Sequence, residues 1–246
     1  MDYRGGLKAM YTNPNWLTQA TLIGLCGLIP IVGQIVIMGY AFEAAAYLHK
    51  TNRDQFPDFN FNRFGSYLAR GVGPFLVGLL FLMIHIPVYV IEFLVFNVGG
   101  TMLVVALASM DPGNEGLRVG LLVTLGILNM VVTGVVHMII NIYQVALMIR
   151  GGLSGELAES FRFSFCPEFA KRAGTETFVA GIFTGYLTFC LVCFAVVPIF
   201  WTFGLFYLTA IGIYCLCCSW LVFQLYRTYL GEKGAPFKVK CEIIDQ

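Results

Sequence analysis

Asn129, Thr133, His137 and Asn141 recur at every fourth position and Gln144 follows three residues later, so on a helix they line one face. Such a stripe of amides, a hydroxyl and an imidazole can pass a proton, hold an ion, or hydrogen-bond to a facing helix. Three more ionisable residues, Glu43, His85 and Glu92, stand in apolar surroundings. An ionisable group at lipid depth is costly and points to a function with a named partner. His85, Tyr89 and Glu92 fall at i, i+4 and i+7, on one helical face that can meet His137.

The same residues restrict the chemistry. Two histidines and a glutamate have ligand types that suit zinc, but no H-x-x-x-H or E-x-x-H spacing and no fourth ligand accompany them. No metal and no cofactor is expected. Ser154, Ser160 and Ser164 share their segment with no histidine, and Gly71-x-Gly73 runs directly into Pro74 rather than opening a phosphate loop. No catalytic residue emerges, and the expectation is a protein that is not an enzyme.

The elements that must carry these groups are set by composition. Of 246 residues 58% are hydrophobic and 12% charged, with a mean hydropathy of +0.78, whereas a soluble domain carries about 25% charged residues. The chain reads as an all-α integral membrane protein, because unpaired backbone groups are excluded from lipid. A net charge of +1 gives no basic excess for nucleic acid. The stripe lies between Arg118 and Arg150, thirty-one residues without a charge, or roughly 46 Å of helix against a roughly 30 Å hydrocarbon core. Apolar runs occupy 16–29, 31–49, 71–98, 117–149, 176–197 and 200–229: five to six hydrophobic segments with four or more full spans.

The first run, about 21 Å as a helix, is too short to cross comfortably and reads as a re-entrant or interfacial helix or as the first part of a long kinked one. Pro30 and Pro198 interrupt apolar sequence and predict tight turns, with a kinked helix equally open at Pro30. Met1 to Asn15 is polar and lacks the pattern of a cleaved signal peptide. Cys190 and Cys193 have CxxC spacing, but inside an apolar run they read as small hydrophobes.

Phe59, Phe61, Tyr67 and Arg70 match Phe161, Phe163, Phe169 and Arg172 at identical internal spacing, each set following a helix that carries Tyr40 or Tyr143. This pattern predicts an antiparallel helical bundle from a degenerate internal duplication. The whole of 1–246 is then a single membrane domain, with repeat halves of approximately 16–98 and 117–230 and a polar tail at 231–246. Fourteen of the fifteen Lys and Arg residues lie in the N-terminus, the two repeat loops (50–70 and 150–175) and the C-terminal region. Positive-inside bias puts those loops and the tail in the cytoplasm and the 99–116 loop outside. Phe59, Phe61, Arg63 and Arg70, with Phe161, Arg162, Phe163, Lys171 and Arg172, are candidates for contact with lipid headgroups. A belt that fixes depth and a protein-partner surface are the alternatives.

Asn13-Pro14-Asn15-Trp16-Leu17, Ile29-Pro30-Ile31-Val32-Gly33, Gly39-Tyr40, Pro57-Asp58-Phe59 and Arg70-Gly71 resemble the first half of the bacterial and archaeal membrane family catalogued as domain of unknown function 4013. Residues 143–231 look like its second half, so the resemblance covers about nine-tenths of the chain. It implies a compact helical bundle without an assigned catalytic residue, in a bacterial cytoplasmic (inner) membrane. Glu43, Ala45 and Ala46 depart from the arginines such helices often carry.

Three functions fit. The first is a protein that homo-oligomerises and binds or organises membrane lipid, supported by helix-contact glycines and the aromatic and basic loops. A small-solute or ion channel or transporter is the second, and an accessory subunit of a larger membrane complex the third.

Overall fold

An apolar chain must close its backbone hydrogen bonds within each segment, and the described residues form helices with no strand among them. The computed structural model describes residues 5–53, 55–110, 115–196, 205–230 and 237–244. Its helices are α1 (Gly5–Thr12), α2 (Trp16–Cys26), α3 (Val32–Thr51), α4 (Phe64–Glu92), α5 (Gly100–Met110), α6 (Glu115–Ser154), α7 (Cys166–Val196) and α8 (Leu205–Leu230). Phe61–Leu107, Glu115–Ser154, Phe163–Val192 and Tyr207–Leu230 are each long and apolar enough to cross a membrane. The chain is an all-α membrane protein.

At Pro30 the structure has a turn and not a kink. Helix α2 stops at Cys26 after 11 residues, about 16 Å, and Val32 N–H donates to Pro30 O at 2.6 Å. The bond encloses Ile31, whose φ of 62° and ψ of −62° are those of a three-residue turn that is strained for a branched side chain. The expected turn at Pro198 lies outside the described residues.

The loops are shorter than the sequence suggests. In place of a 99–116 loop, a π-helical segment, Phe93–Gly99, continues α4 into α5 as far as Met110, and α6 opens at Glu115. Gly99 and Gly100 fail to end the helix because Met102 to Ala108 is again apolar, where released backbone groups would find no water. Similarly, α4 begins at Phe64 and α7 at Cys166, so Arg70, Lys171 and Arg172 belong to helices and not to loops.

Two compact units result, Met1–Gly78 with Ile142–Gln246, and Leu79–Asn141. Their boundaries do not follow the repeat halves 16–98 and 117–230. In the larger unit α8 is the centre, with α1, α2, α3 and α7 packed on it. Glycine permits the closest crossings: a Cβ on Gly24 would strike the backbone of Leu208, and one on Gly212 that of Ala20. Gly39 and Gly71 bring α3 and α4 together in the same way, against the carbonyls of Tyr67 and Ile35. Tyr40, Tyr67, Phe169, Tyr226 and Tyr229 are among the largest fully buried side chains.

The smaller unit is a helical hairpin. Contact partners fall in number along one arm as they rise along the other, from His85 with His137 to Gly100 with Leu125, so the arms are antiparallel. The segments 79–107 and 115–141 are each roughly 40 Å long or more, enough to cross a hydrocarbon core alone. Leu82, Met83, Ile84 and Ile86 are all exposed, which places apolar surface around the arm and not along a single stripe.

Candidate functional site

Each unit holds a buried carboxylate paired with a basic side chain. In the larger unit Glu43 on α3 forms an ion pair with Arg70 on α4, and both side chains are almost inaccessible. Two carbonyl acceptors come from the end of α6: Arg70 Nε donates to Gly152 O at 2.7 Å and Nη2 to Leu153 O at 3.3 Å. A helix leaves its last four carbonyls without internal partners, and Arg70 supplies a donor to two of them. Gly155, with φ of +68°, ends that turn by donating from its N–H to Gly151 O at 3.0 Å.

The C-terminal segment completes the cluster. Arg70 Nη2 also donates to Lys240 O, Lys240 N–H donates to Leu153 O at 3.0 Å, and Ile243 N–H donates to Glu43 Oε1 at 3.0 Å. Two opposite charges are thus neutralised and hydrogen-bonded where an isolated one would be prohibitive.

The short motifs found in the first half of the sequence meet close by. Asn13 Nδ2 donates to Asp58 Oδ1 at 2.8 Å, Gln19 Oε1 accepts from Phe59 N–H at 2.6 Å, and Tyr40 O–H donates to Pro57 O at 2.7 Å. Tyr40, Phe59 and Tyr67 form an aromatic triad with centroids 5.3 to 5.6 Å apart. These residues fasten the 56–59 segment onto α2 and α3.

In the hairpin, Glu92 Oε2 lies 3.1 Å from His137 Nε2. The His137 ring stacks against Tyr89 at 4.1 Å and His85 at 5.0 Å, and those two rings are 6.2 Å from each other, so the three form a triangle. His85 Nδ1 is 2.7 Å from Phe81 O, and since a carbonyl only accepts, that nitrogen carries a proton. Among the described residues, Glu92 Oε1 and His137 Nδ1 are buried without a hydrogen-bond partner. The pair can hold one proton between imidazole and carboxylate without changing its total charge. The π-helical segment begins at the next residue, Phe93, and such widened turns often accompany functional sites.

The rest of the stripe is divided. Thr133 Oγ1 donates to Asn129 Oδ1 at 3.2 Å on the same helix, while Asn141 is exposed and Gln144 half-buried. Among the described residues no group of three His, Cys, Asp or Glu side chains is arranged to hold a metal ion.

The headgroup candidates divide as well. Phe61, Phe161 and Phe163 are exposed, as are Arg162 and Lys171, and Arg63 is half-buried. Phe59 and Arg70 are withdrawn into the interior, at 5% and 6% exposure, because one completes the aromatic triad and the other the ion pair. Arg172 is tied to Glu168 and sits 5.1 Å over the Tyr229 ring.

A further cluster was not singled out from sequence. Arg150 Nε donates to Glu159 Oε2 at 2.5 Å and lies over the rings of Phe165 and Phe237 at 5.1 and 5.4 Å. Arg162 Nη1 donates to Glu159 Oε1 at 3.1 Å. Desolvation pushes the Glu159 carboxyl up, but the hydrogen bonds and charges of the two arginines outweigh it and hold the group below its usual range. The available signal was the position of Arg150, the first charge after a long uncharged stretch.

Helices of membrane-spanning length, two of them paired in an apolar hairpin, define the class: a multi-span all-α membrane protein. Within that class the chain belongs to the family described as Protein of unknown function (DUF4013), whose model matches residues 22–201. The match starts after the Asn13 to Leu17 motif and ends before α8 begins at Leu205. No curated protein and no solved structure matches the chain.

Proposed function

We propose that this chain is a non-enzymatic membrane protein that associates with copies of itself and binds and organises lipid. The observation that carries this reading is the hairpin's apolar surface, exposed on consecutive residues of both arms. A soluble environment would penalise such a surface, so hydrocarbon or a second copy of the chain must cover it. Gly120 and Gly126 on α6 have open space where a Cβ would stand, leaving room for a close helix approach. Exposed Phe61, Phe161, Phe163, Arg162 and Lys171 suit the headgroup boundary.

The charge pattern supports residence in a bacterial cytoplasmic membrane with the segments around 50–63 and 155–165 and the tail facing the cytoplasm. An internal duplication is supported by one geometric echo. Gly39 meets Gly71, and Ile142 meets Gly174, pairs with the same sequence separation. In native mass spectrometry the purified protein is expected as an oligomer with retained lipid. A lipid-free monomer overturns the reading.

A second reading, a channel or transporter for a proton or small ion, is favoured by the two unpartnered buried atoms of the Glu92–His137 pair. It requires flux in proteoliposomes that His137→Ala abolishes. Absence of flux in the parent protein removes it.

A further inference from the structure

Away from both polar clusters, the larger unit contains a pocket of about 290 Å³ where α1, the end of α3 and the last turns of α8 meet. Three cations line it: Lys8 from α1, Arg53 just after α3, and Arg227 from α8. Among the described residues no acidic side chain lines it and none of the three cations forms an ion pair. Like charges gathered together repel one another, and an anion among them removes that cost.

The remaining wall suits a phosphate ester. Asn52 and Gln224 supply amides; Asn52 is held at φ 50°, ψ 32° as the cap of α3. Trp220 and Phe223, 5% and 6% exposed, form an apolar base. Gly6 keeps α1 against that base, since a Cβ there would lie 3.1 Å from Trp220 Cβ, and this packing brings Lys8 to the rim.

Depth adds a second argument. Arg227 stands in the last turn of the apolar stretch Tyr207–Leu230, and tryptophan beside basic residues at a span end marks the membrane–water boundary. We propose that this pocket binds a phosphate monoester or diester of the kind a phospholipid headgroup presents, with Arg53 and Arg227 as hydrogen-bonding forks and Lys8 as a point charge. The lipid as source rests on the membrane reading above; the anion chemistry does not. The volume is at the small end of ligand pockets, about 300 Å³, enough for the phosphate and a short polyol and not for acyl chains.

The test uses the full chain in nanodiscs of neutral phosphatidylcholine, with and without phosphatidylglycerol. Native mass spectrometry is expected to show phosphatidylglycerol retained by the parent and lost at least tenfold from Lys8→Gln/Arg53→Gln/Arg227→Gln. Exchange of Arg162→Gln/Lys171→Gln is expected to leave retention unchanged. Because the triple variant can lose structure, the Trp220 emission of the otherwise unaltered chain is followed as well, in a Trp16→Phe/Trp201→Phe background titrated with glycerol 3-phosphate or inorganic phosphate.

A shift with either soluble anion at millimolar concentration supports a site open to free phosphates. A shift with phosphatidylglycerol alone supports the lipid as source. Retention equal to the parent's in a folded triple variant, or a loss confined to the Arg162/Lys171 variant, overturns the pocket while leaving lipid organisation standing. Emission unmoved by lipid and by both soluble anions overturns it regardless of variant folding. A parent that carries no lipid yet responds to a soluble phosphate ester keeps the pocket and overturns the lipid-organising reading.

Discussion

Glu43 and Arg70 lie on different helices, and each is useful to the other only because both are buried. Removing one partner leaves a charge that the interior cannot solvate, at a cost of about 3–5 kcal/mol, whereas replacing both with apolar groups can be nearly neutral. Glu43→Leu and Arg70→Leu are therefore each expected to lower unfolding stability in detergent by that amount. The double variant is expected to recover part of it; the Gly152 and Lys240 carbonyls still lose the Arg70 donor, while Leu153 O keeps the Lys240 N–H. A double variant as unstable as the sum of the singles would exclude coupling.

Glu159 gives a pH signature. Its folded-state carboxyl is held below the ordinary value, so its contribution is complete above the unfolded glutamate range and is lost as pH falls through the lowered value. Thermal unfolding between neutral and acid pH is expected to show this loss in the parent and not in Glu159→Gln. At this scale the sequence was half legible. It marked Glu43, His85, Glu92 and His137 as groups needing partners, and periodicity set the last three within reach of one another. It read Arg70 as a surface group, because side-chain type does not reveal which face of a later helix meets which earlier one.

Among the elements, backbone proximity decides which glycines matter. Gly39 and Gly71 lie where a methyl group would enter a neighbouring backbone, while Gly120 has empty space. Gly39→Ala and Gly71→Ala are expected to destabilise by about 1–3 kcal/mol through overpacking. Gly120→Ala is expected to be neutral or to gain up to about 1 kcal/mol from helix propensity. Equal effects at all three, in unfolding titrations, would refute the distinction. Helix positions were readable from apolar runs, but their ends were not. Polar and aromatic residues at 64–70 and 166–175 suggested loops, yet they serve as the first turns of α4 and α7, with Tyr67, Arg70 and Phe169 buried there.

At the scale of the whole molecule, composition was sufficient to assign a helical membrane protein, and the spans agree. The division into compact units was not legible, since the hairpin and the larger unit share α4 and α6 and no change in composition marks residues 78 or 141. A direct test of the hairpin's surroundings uses Met83, Met102 and Met130, exposed by 72%, 68% and 71%. A carbene probe carried on a lipid tail is expected to label all three in proteoliposomes, with little oxidation by hydroxyl radicals in water. The reverse pattern would place the hairpin outside the bilayer.

The ion pair near the start of the chain also imposes an order in time. Glu43 and Arg70 emerge before the carbonyls of Gly152 and Leu153, and Lys240 lies 170 residues beyond Arg70. While the intervening chain is made, Arg70 therefore lacks acceptors it holds in the folded protein. The final closure of this core waits for residues 240–243 to leave the ribosome and fold back onto Glu43 and Arg70, and the integrity of that segment reports whether assembly has finished.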